Sequence, residues 1–121
     1  RYKFHPTVEH GDISAASRLY ENRERLWLQA NVHVSGKSDW VFIKLHAHGC
    51  HRADWEEVLG ENFDRLLTRL ENRYDDGKNY VLHYATAREA YNIIKAAEAG
   101  ETGNPELYRD YIIKPYRANQ K

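Results

Sequence analysis

Three histidines crowd one short stretch of this 121-residue chain: His46, His48 and His51, set around Gly49. Neutral imidazole binds zinc-like divalent metals well, and it also takes and gives protons near neutral pH. A His-x-His pair can present two such rings from the end of a strand. The spacing alone leaves three readings open: metal ligands, a metal-free acid/base or substrate-binding pair, and hydrogen-bonded structural histidines. No Cys pair and no His-Glu-x-x-His helix accompanies the cluster. Cys50, the one cysteine, could act as a nucleophile beside His48 or His51, but no further triad member is recognisable. His33 and His83 lie within β-type patterns, as core histidines do. His5 and His10 fall in the polar leading segment and carry little signal.

The cluster needs an element to hold it. Trp40 to Leu45 is apolar except for Lys44 and rich in aromatic and β-branched residues, so it predicts a buried strand ending at His46. Tyr80-Val-Leu-His-Tyr84 predicts a second strand. Between them, Asp54–Gly60 reads as one helical turn. From Glu61, Phe63, Leu66, Leu67, Leu70 and Tyr74 mark one helix face, stopped by Asp75-Asp-Gly-Lys78 with Gly77 suited to a left-handed cap. Thr86 and Glu89 form a capping box that starts another helix, burying Ala90, Ile94 and Ala97 with Ile93 and Tyr91 beside them, and Gly100 ends it. Upstream, residues 1–13 read as an extended arm, and Ser14 or Ser17 could cap a helix to about Asn31. Val32–Val34 and Tyr111–Ile113 predict short strands, and Pro105 opens a short helix.

Strand, helix, strand, helix in that order predicts an α/β fold, a β-α-β-α unit with parallel strands. His46 and His83-Tyr84 would then end at one rim, where His46, His48, His51 and His83 converge and Arg88 could reach an anionic or sugar ligand. Two parallel strands cannot cover their own faces and edges. Together with the absence of Met, this predicts a fragment of a larger protein, with residues 14–116 as its α/β domain and 117–121 as a tail.

Composition narrows the class. Eighteen Lys+Arg balance eighteen Asp+Glu, with no basic block, which argues against a nucleic-acid partner. No apolar run approaches the ~20 residues of a membrane helix. Nine tyrosines and three tryptophans suit half-buried surfaces and binding clefts.

The phrases Asp39-Trp-Val-Phe-Ile-Lys-Leu-His-Ala-His-Gly49, Leu82-His-Tyr-Ala-Thr-Ala-Arg-Glu89 and Tyr108-Arg-Asp-Tyr111 resemble the C-terminal part of bacterial polysaccharide deacetylase-like proteins, which are β/α barrels of the glycoside hydrolase/deacetylase type. The resemblance spans roughly residues 17–116. It implies a fragment of a deformed β/α barrel and a metal-assisted hydrolysis of acetyl groups on a glycan. Leu45-His46 matches the family's late Leu-His motif, making His46 the catalytic acid and His48 its positioning neighbour, although Ala47-His48 stands where the family has Asp. His83, Tyr84 and Arg88 would bind substrate. The family's metal site, an Asp and two His from early strands, is not recognisable here, so a divalent, zinc-like metal would belong to the full-length protein. The expected partners are a glycan substrate and the missing N-terminal portion or a partner chain, in a bacterial cytoplasm or cell envelope. The fragment by itself would be inactive. The alternative is a non-catalytic carbohydrate-binding or scaffold module.

Overall fold

Four α-helices and one 3-10 turn supply the regular structure of residues 8–15, 23–49 and 51–116, the part of the chain that the computed structural model describes. The helices are α1 (Arg23–Ala30), α2 (Arg52–Val58), α3 (Glu61–Tyr74) and α4 (Ala87–Glu98), and the 3-10 turn is Pro105–Tyr108. The residues group into two units. The first joins residues up to 32 with 42–82, and the second joins 33–41 with the chain from 83 onward.

In the first unit, α3 turns its periodic apolar face inward. Leu66 and Leu70 are buried with Trp27 of α1, and Leu45, Phe63, Leu67, Tyr74 and Leu82 pack around them. Each fully buried side chain of this kind contributes about 1.5–3 kcal/mol. The corner between α2 and α3 is tight. A Cβ on Gly60 would stand 2.4 Å from the Glu56 carbonyl oxygen, so the corner admits only glycine. α3 ends at Tyr74 with Asp75 as its C-cap, and Gly77 takes a left-handed φ of 67° two residues later. There Asp76 Oδ1 accepts the N–H groups of Lys78, Asn79 and Tyr80 and fixes the turn. Those donors, Lys78 and then Tyr80 foremost, hold the Asp76 carboxyl far below the usual carboxylate range.

The second unit is built on α4. Thr86 caps it through the predicted box: its side chain accepts from the Glu89 N–H, and the Glu89 carboxylate accepts from the Thr86 N–H at 2.8 Å. The buried face consists of Asn92, Ile93, Ala96 and Ala97. It is rotated from the predicted stripe, leaving Ala90 and Ile94 only half-buried and Tyr91 exposed. Trp40 is buried against Tyr108, ring centroids 5.7 Å apart, with the Lys37 ammonium 4.6 Å over the Trp40 ring.

No strand forms among the described residues, so the parallel β-α-β-α unit is not what this chain builds. Residues 40–46 make one parallel bridge, Asp12 to His46, with Ile13 N–H to His46 O at 2.8 Å and His46 N–H to Gly11 O at 3.0 Å. Residues 80–84 make none. The physical reason lies in their position. Each predicted strand straddles a boundary between the units, at Val41/Phe42 and at Leu82/His83. Leu45 and Leu82 are drawn to the Trp27–Leu66–Leu70 core, while Trp40 packs on Tyr108 and His83 pairs with Glu106. Strand propensity yields to these separate packings. The other expected strands are also absent: Val34 bridges only to Lys37 across a turn, and residues 111–113 form a bend. A helical architecture of this kind is incompatible with a β/α barrel, and the resemblance to polysaccharide deacetylases is overturned with it. The proposed start of α1 at Ser17 lies outside the described residues, as do residues 1–7 and 117–121. The Ser14 hydroxyl donates to Asp12 Oδ2 at 2.7 Å, and the residues it would cap lie outside the described ones.

Candidate functional site

The His46 neighbourhood belongs to the first unit. Gly11, with φ 78°, lets the leading segment lie against residues 44–46; a Cβ there would meet the Lys44 carbonyl oxygen at 2.3 Å. Arg23 secures the same segment. It donates from Nε and Nη2 to both Glu9 oxygens at 2.7 and 2.6 Å, and from Nη2 to the Asp12 carbonyl at 2.8 Å. The Arg23 hydrogen bond, helped by the Gly11 N–H, pulls the Glu9 carboxyl down to about 2.

This docking brings Asp12 and His10 to His46. His46 Nε2 lies 3.9 Å from Asp12 Oδ1, the His10 ring 6.0 Å from the His46 ring, and the His48 ring edge-on at 6.4 Å. Sequence reasoning singled out His46 and His48 and set His10 aside. Beside them an open depression of about 200 Å³ is lined by Ile13, Leu45, His46, Ala47, Val58 and Phe63. His51 stands apart in role, as the N-cap residue of α2 without a side-chain cap bond. Cys50, the candidate nucleophile, lies outside the described residues.

His83, Tyr84 and Arg88 fall in the second unit, each bonded to residues that sequence reasoning did not select. The His83 Nδ1 lies 2.6 Å from Glu106 Oε1. Arg109 donates to both Glu106 oxygens, to Glu89 Oε2 at 2.9 Å and to the Tyr84 carbonyl at 2.7 Å. Arg88 Nη1 donates to Asp110 Oδ1 and the Ile113 carbonyl, each at 2.6 Å, and to the Arg109 carbonyl at 3.1 Å. Arg109, and after it His83, hold the Glu106 carboxyl down at about 2. A carboxylate so firmly ionised cannot serve as a proton donor near neutral pH. The Glu106–Arg109 spacing of three residues, just after Pro105, was the available signal for this pair.

Asn92 completes the assembly. Fully buried, it donates to the carbonyls of Arg109 and Ile113 at 2.7 and 2.8 Å, and its Oδ1 accepts from the N–H groups of Ile112 and Ile113 at 3.1 and 2.8 Å. Tyr108-Arg-Asp-Tyr111 is a packed clamp. The Tyr108 hydroxyl donates to the Thr102 carbonyl at 2.8 Å, and the Tyr108 and Tyr111 rings meet edge to face at 5.9 Å.

The expected convergence of four histidines rested on two neighbouring parallel strands, which the described residues do not form. His46 and His48 sit in one unit and His83 in the other. Among the described residues, no group of three or more His, Cys, Asp or Glu is arranged to hold a metal ion. Metal-assisted deacetylation by a hydrolase of this family therefore has neither its scaffold nor a metal-ligand cluster among the described residues. No helix among the described residues is long and apolar enough to cross a membrane. Comparison of the chain with models of known families, with curated proteins and with solved structures finds no match.

Proposed function

We propose that this chain is a non-catalytic scaffold module that docks polypeptide. One observation carries the reading: the division of labour among side chains of the second unit. His83, Arg88, Asn92 and Arg109, the groups with chemistry to offer, direct their hydrogen bonds to the carboxylates of Glu89, Glu106 and Asp110 and to the chain's own backbone. Large apolar side chains stand among those left outward: Tyr91, Leu107, Ile112, Ile113 and Tyr116 are all more than a third exposed. Exposed large apolar side chains on a rigidly tied frame suit protein docking. Their mixture decides between the two non-catalytic readings. Tyrosine faces serve sugars and proteins alike, but Leu107, Ile112 and Ile113 offer a glycan neither a stacking face nor a hydrogen bond.

The test is a titration with acetylated and deacetylated oligosaccharides, read by NMR at the Tyr and Ile resonances and by acetate release, with and without added divalent metal. No saturable shift and no acetate are expected. Saturable shifts at Tyr84 and Tyr91 would replace the polypeptide ligand by a glycan. Acetate release would refute the non-catalytic reading outright.

A further inference from the structure

A continuous chain of charged side chains runs through the second unit from His83 to Asp110. His83 Nδ1 lies 2.6 Å from Glu106 Oε1, and Arg109 donates to Glu106 at 2.6 Å and to Glu89 at 2.9 Å. Arg88 stands 3.7 Å from Glu89 and donates to Asp110 at 2.6 Å. All six residues belong to this one unit. The chain fastens residue 83 and the first turn of α4 to the 3-10 turn and the residues that follow it. Its charges do not balance. Glu89, Glu106 and Asp110 are three carboxylates, against the two guanidiniums of Arg88 and Arg109. One negative charge is left over, and a proton on His83 cancels it. Two further charged groups beside the chain are bonded elsewhere. The Lys114 ammonium donates to the Asp110 carbonyl, and the Glu101 carboxylate accepts from the Tyr108 and Tyr111 hydroxyls.

The position of hydrogen on the His83 ring follows from its partner. Both Glu106 oxygens accept from Arg109, and Arg109 foremost holds that carboxyl at about 2. An ionised carboxylate only accepts, so Nδ1 carries hydrogen whether the ring is neutral or charged. The proton that comes and goes is therefore the one on Nε2, on a side chain 22% exposed to solvent. Its arrival turns a hydrogen bond with one charged partner into an ion pair with two, and it removes the leftover charge.

We infer that His83 is a proton-operated latch, whose protonation tightens the hold of residue 83 on the 3-10 turn and whose deprotonation slackens it. The direction follows from the neighbours. Histidine is the side chain whose ordinary titration falls between about pH 5 and 8. Across that range Glu106 stays ionised, and Arg109, pushed up by Glu106, stays charged. The latch is at full strength at the acid end and is lost as pH rises through the imidazole's range. The latch concerns the frame of the unit, and it holds whether or not the exposed side chains dock polypeptide.

The experiment is amide hydrogen exchange of the full chain at about pH 5 and about pH 8, expressed as protection factors so that the intrinsic pH dependence of exchange drops out. The Leu107 and Tyr111 amides, which donate to the Asn104 and Tyr108 carbonyls, report opening of the latched segment. Their protection relative to Leu66 and Leu70 in α3 should be about five- to ten-fold higher at the lower pH. In His83→Gln, whose side chain can still donate to Glu106 but takes up no proton, that difference should vanish. Nitrogen-15 spectra of the wild-type ring give a second reading that needs no variant: the neutral ring should carry its hydrogen on Nδ1. A neutral ring with its hydrogen on Nε2 overturns the latch. So does a relative protection that is the same at both pH values, or a pH difference that survives His83→Gln. Should His83→Gln fail to fold, the wild-type chain decides: Nδ1–H together with higher relative protection at the lower pH upholds the latch, and the lack of either overturns it.

Discussion

Replacing Asn92 by Leu probes the best-anchored contact of the second unit. Leu is close to Asn in size and is apolar, so the change removes hydrogen bonds while leaving little void. Four bonds are lost. A net hydrogen bond contributes about 0.5–1.5 kcal/mol, and a stranded buried group costs about 1–3 kcal/mol. The structure reduces the sum on two counts. The carbonyls of Arg109 and Ile113 keep Arg88 as a second donor. Ile112 and Ile113 are about half exposed, so water can reach their N–H groups. The expected net cost is therefore about 2–4 kcal/mol. Urea denaturation measures it, and amide hydrogen exchange locates it: the Ile112 and Ile113 amides, protected in the native chain, should exchange far faster in the variant. A variant within about 0.5 kcal/mol of the parent, with both amides still protected, would refute the claim that Asn92 anchors residues 109–113.

Three further outcomes test other parts of the fold. Glu24 is 1% exposed with no hydrogen bond to either oxygen, and its cationic neighbours, Arg69 and Arg73, stand at 3.4 and 3.6 Å. Replacing the whole cluster, Glu24→Leu with Arg69→Met and Arg73→Met, should be neutral or stabilising by about 1–4 kcal/mol, whereas Arg69→Met with Arg73→Met alone should cost about 3–5 kcal/mol, both read by urea denaturation. Glu9 has a folded pKa of about 2 against an ordinary 4.5, so its pairing with Arg23 stabilises the fold above pH 4.5 and is lost as pH falls toward 2. Acid titration of stability should show that loss, and Glu9→Gln should abolish this part of the pH dependence. Gly60→Ala should cost about 1–3 kcal/mol through the clash with the Glu56 carbonyl, and an unchanged melting temperature would show that the α2–α3 corner yields.

Local signals were read well and distant ones poorly. The run of α3 follows from an apolar face repeated every three to four residues, and the start of α4 from Thr86 and Glu89 bonding each other across one turn; both need only neighbours in sequence. The strands at 40–46 and 80–84 failed because a strand exists only with a partner, and the composition of Trp40–Leu45 cannot say that its two ends pack in different units. Asn92 was missed because a polar residue on a helix reads as outward-facing, and its partners lie 17 to 21 residues away. Glu24 was missed for the same reason. It stands in the charged run of residues 21–25, yet it is among the most buried side chains described. Of the candidate site, His83, Tyr84 and Arg88 fall in one unit and His46 and His48 in the other, and the Glu106 and Arg109 that bond to His83 and to the Tyr84 carbonyl were not foreseen.

One oxygen joins two events usually treated as separate. Glu89 Oε2 accepts at once from the Thr86 N–H, the Thr86 hydroxyl and Arg109 Nη1, at 2.8, 2.9 and 2.9 Å. Fraying of the first turn of α4 swings this carboxylate away and deprives Arg109 of an anchor. Detachment of Arg109 in turn leaves the carboxylate less firmly placed for the cap. The start of the helix and the segment that follows the 3-10 turn are thus thermodynamically linked, although 20 residues separate Glu89 from Arg109. Substitutions at Thr86 and Arg109 should be non-additive, with the second losing part of its effect once the first is made. A ligand that orders either end would then tighten the other without touching it.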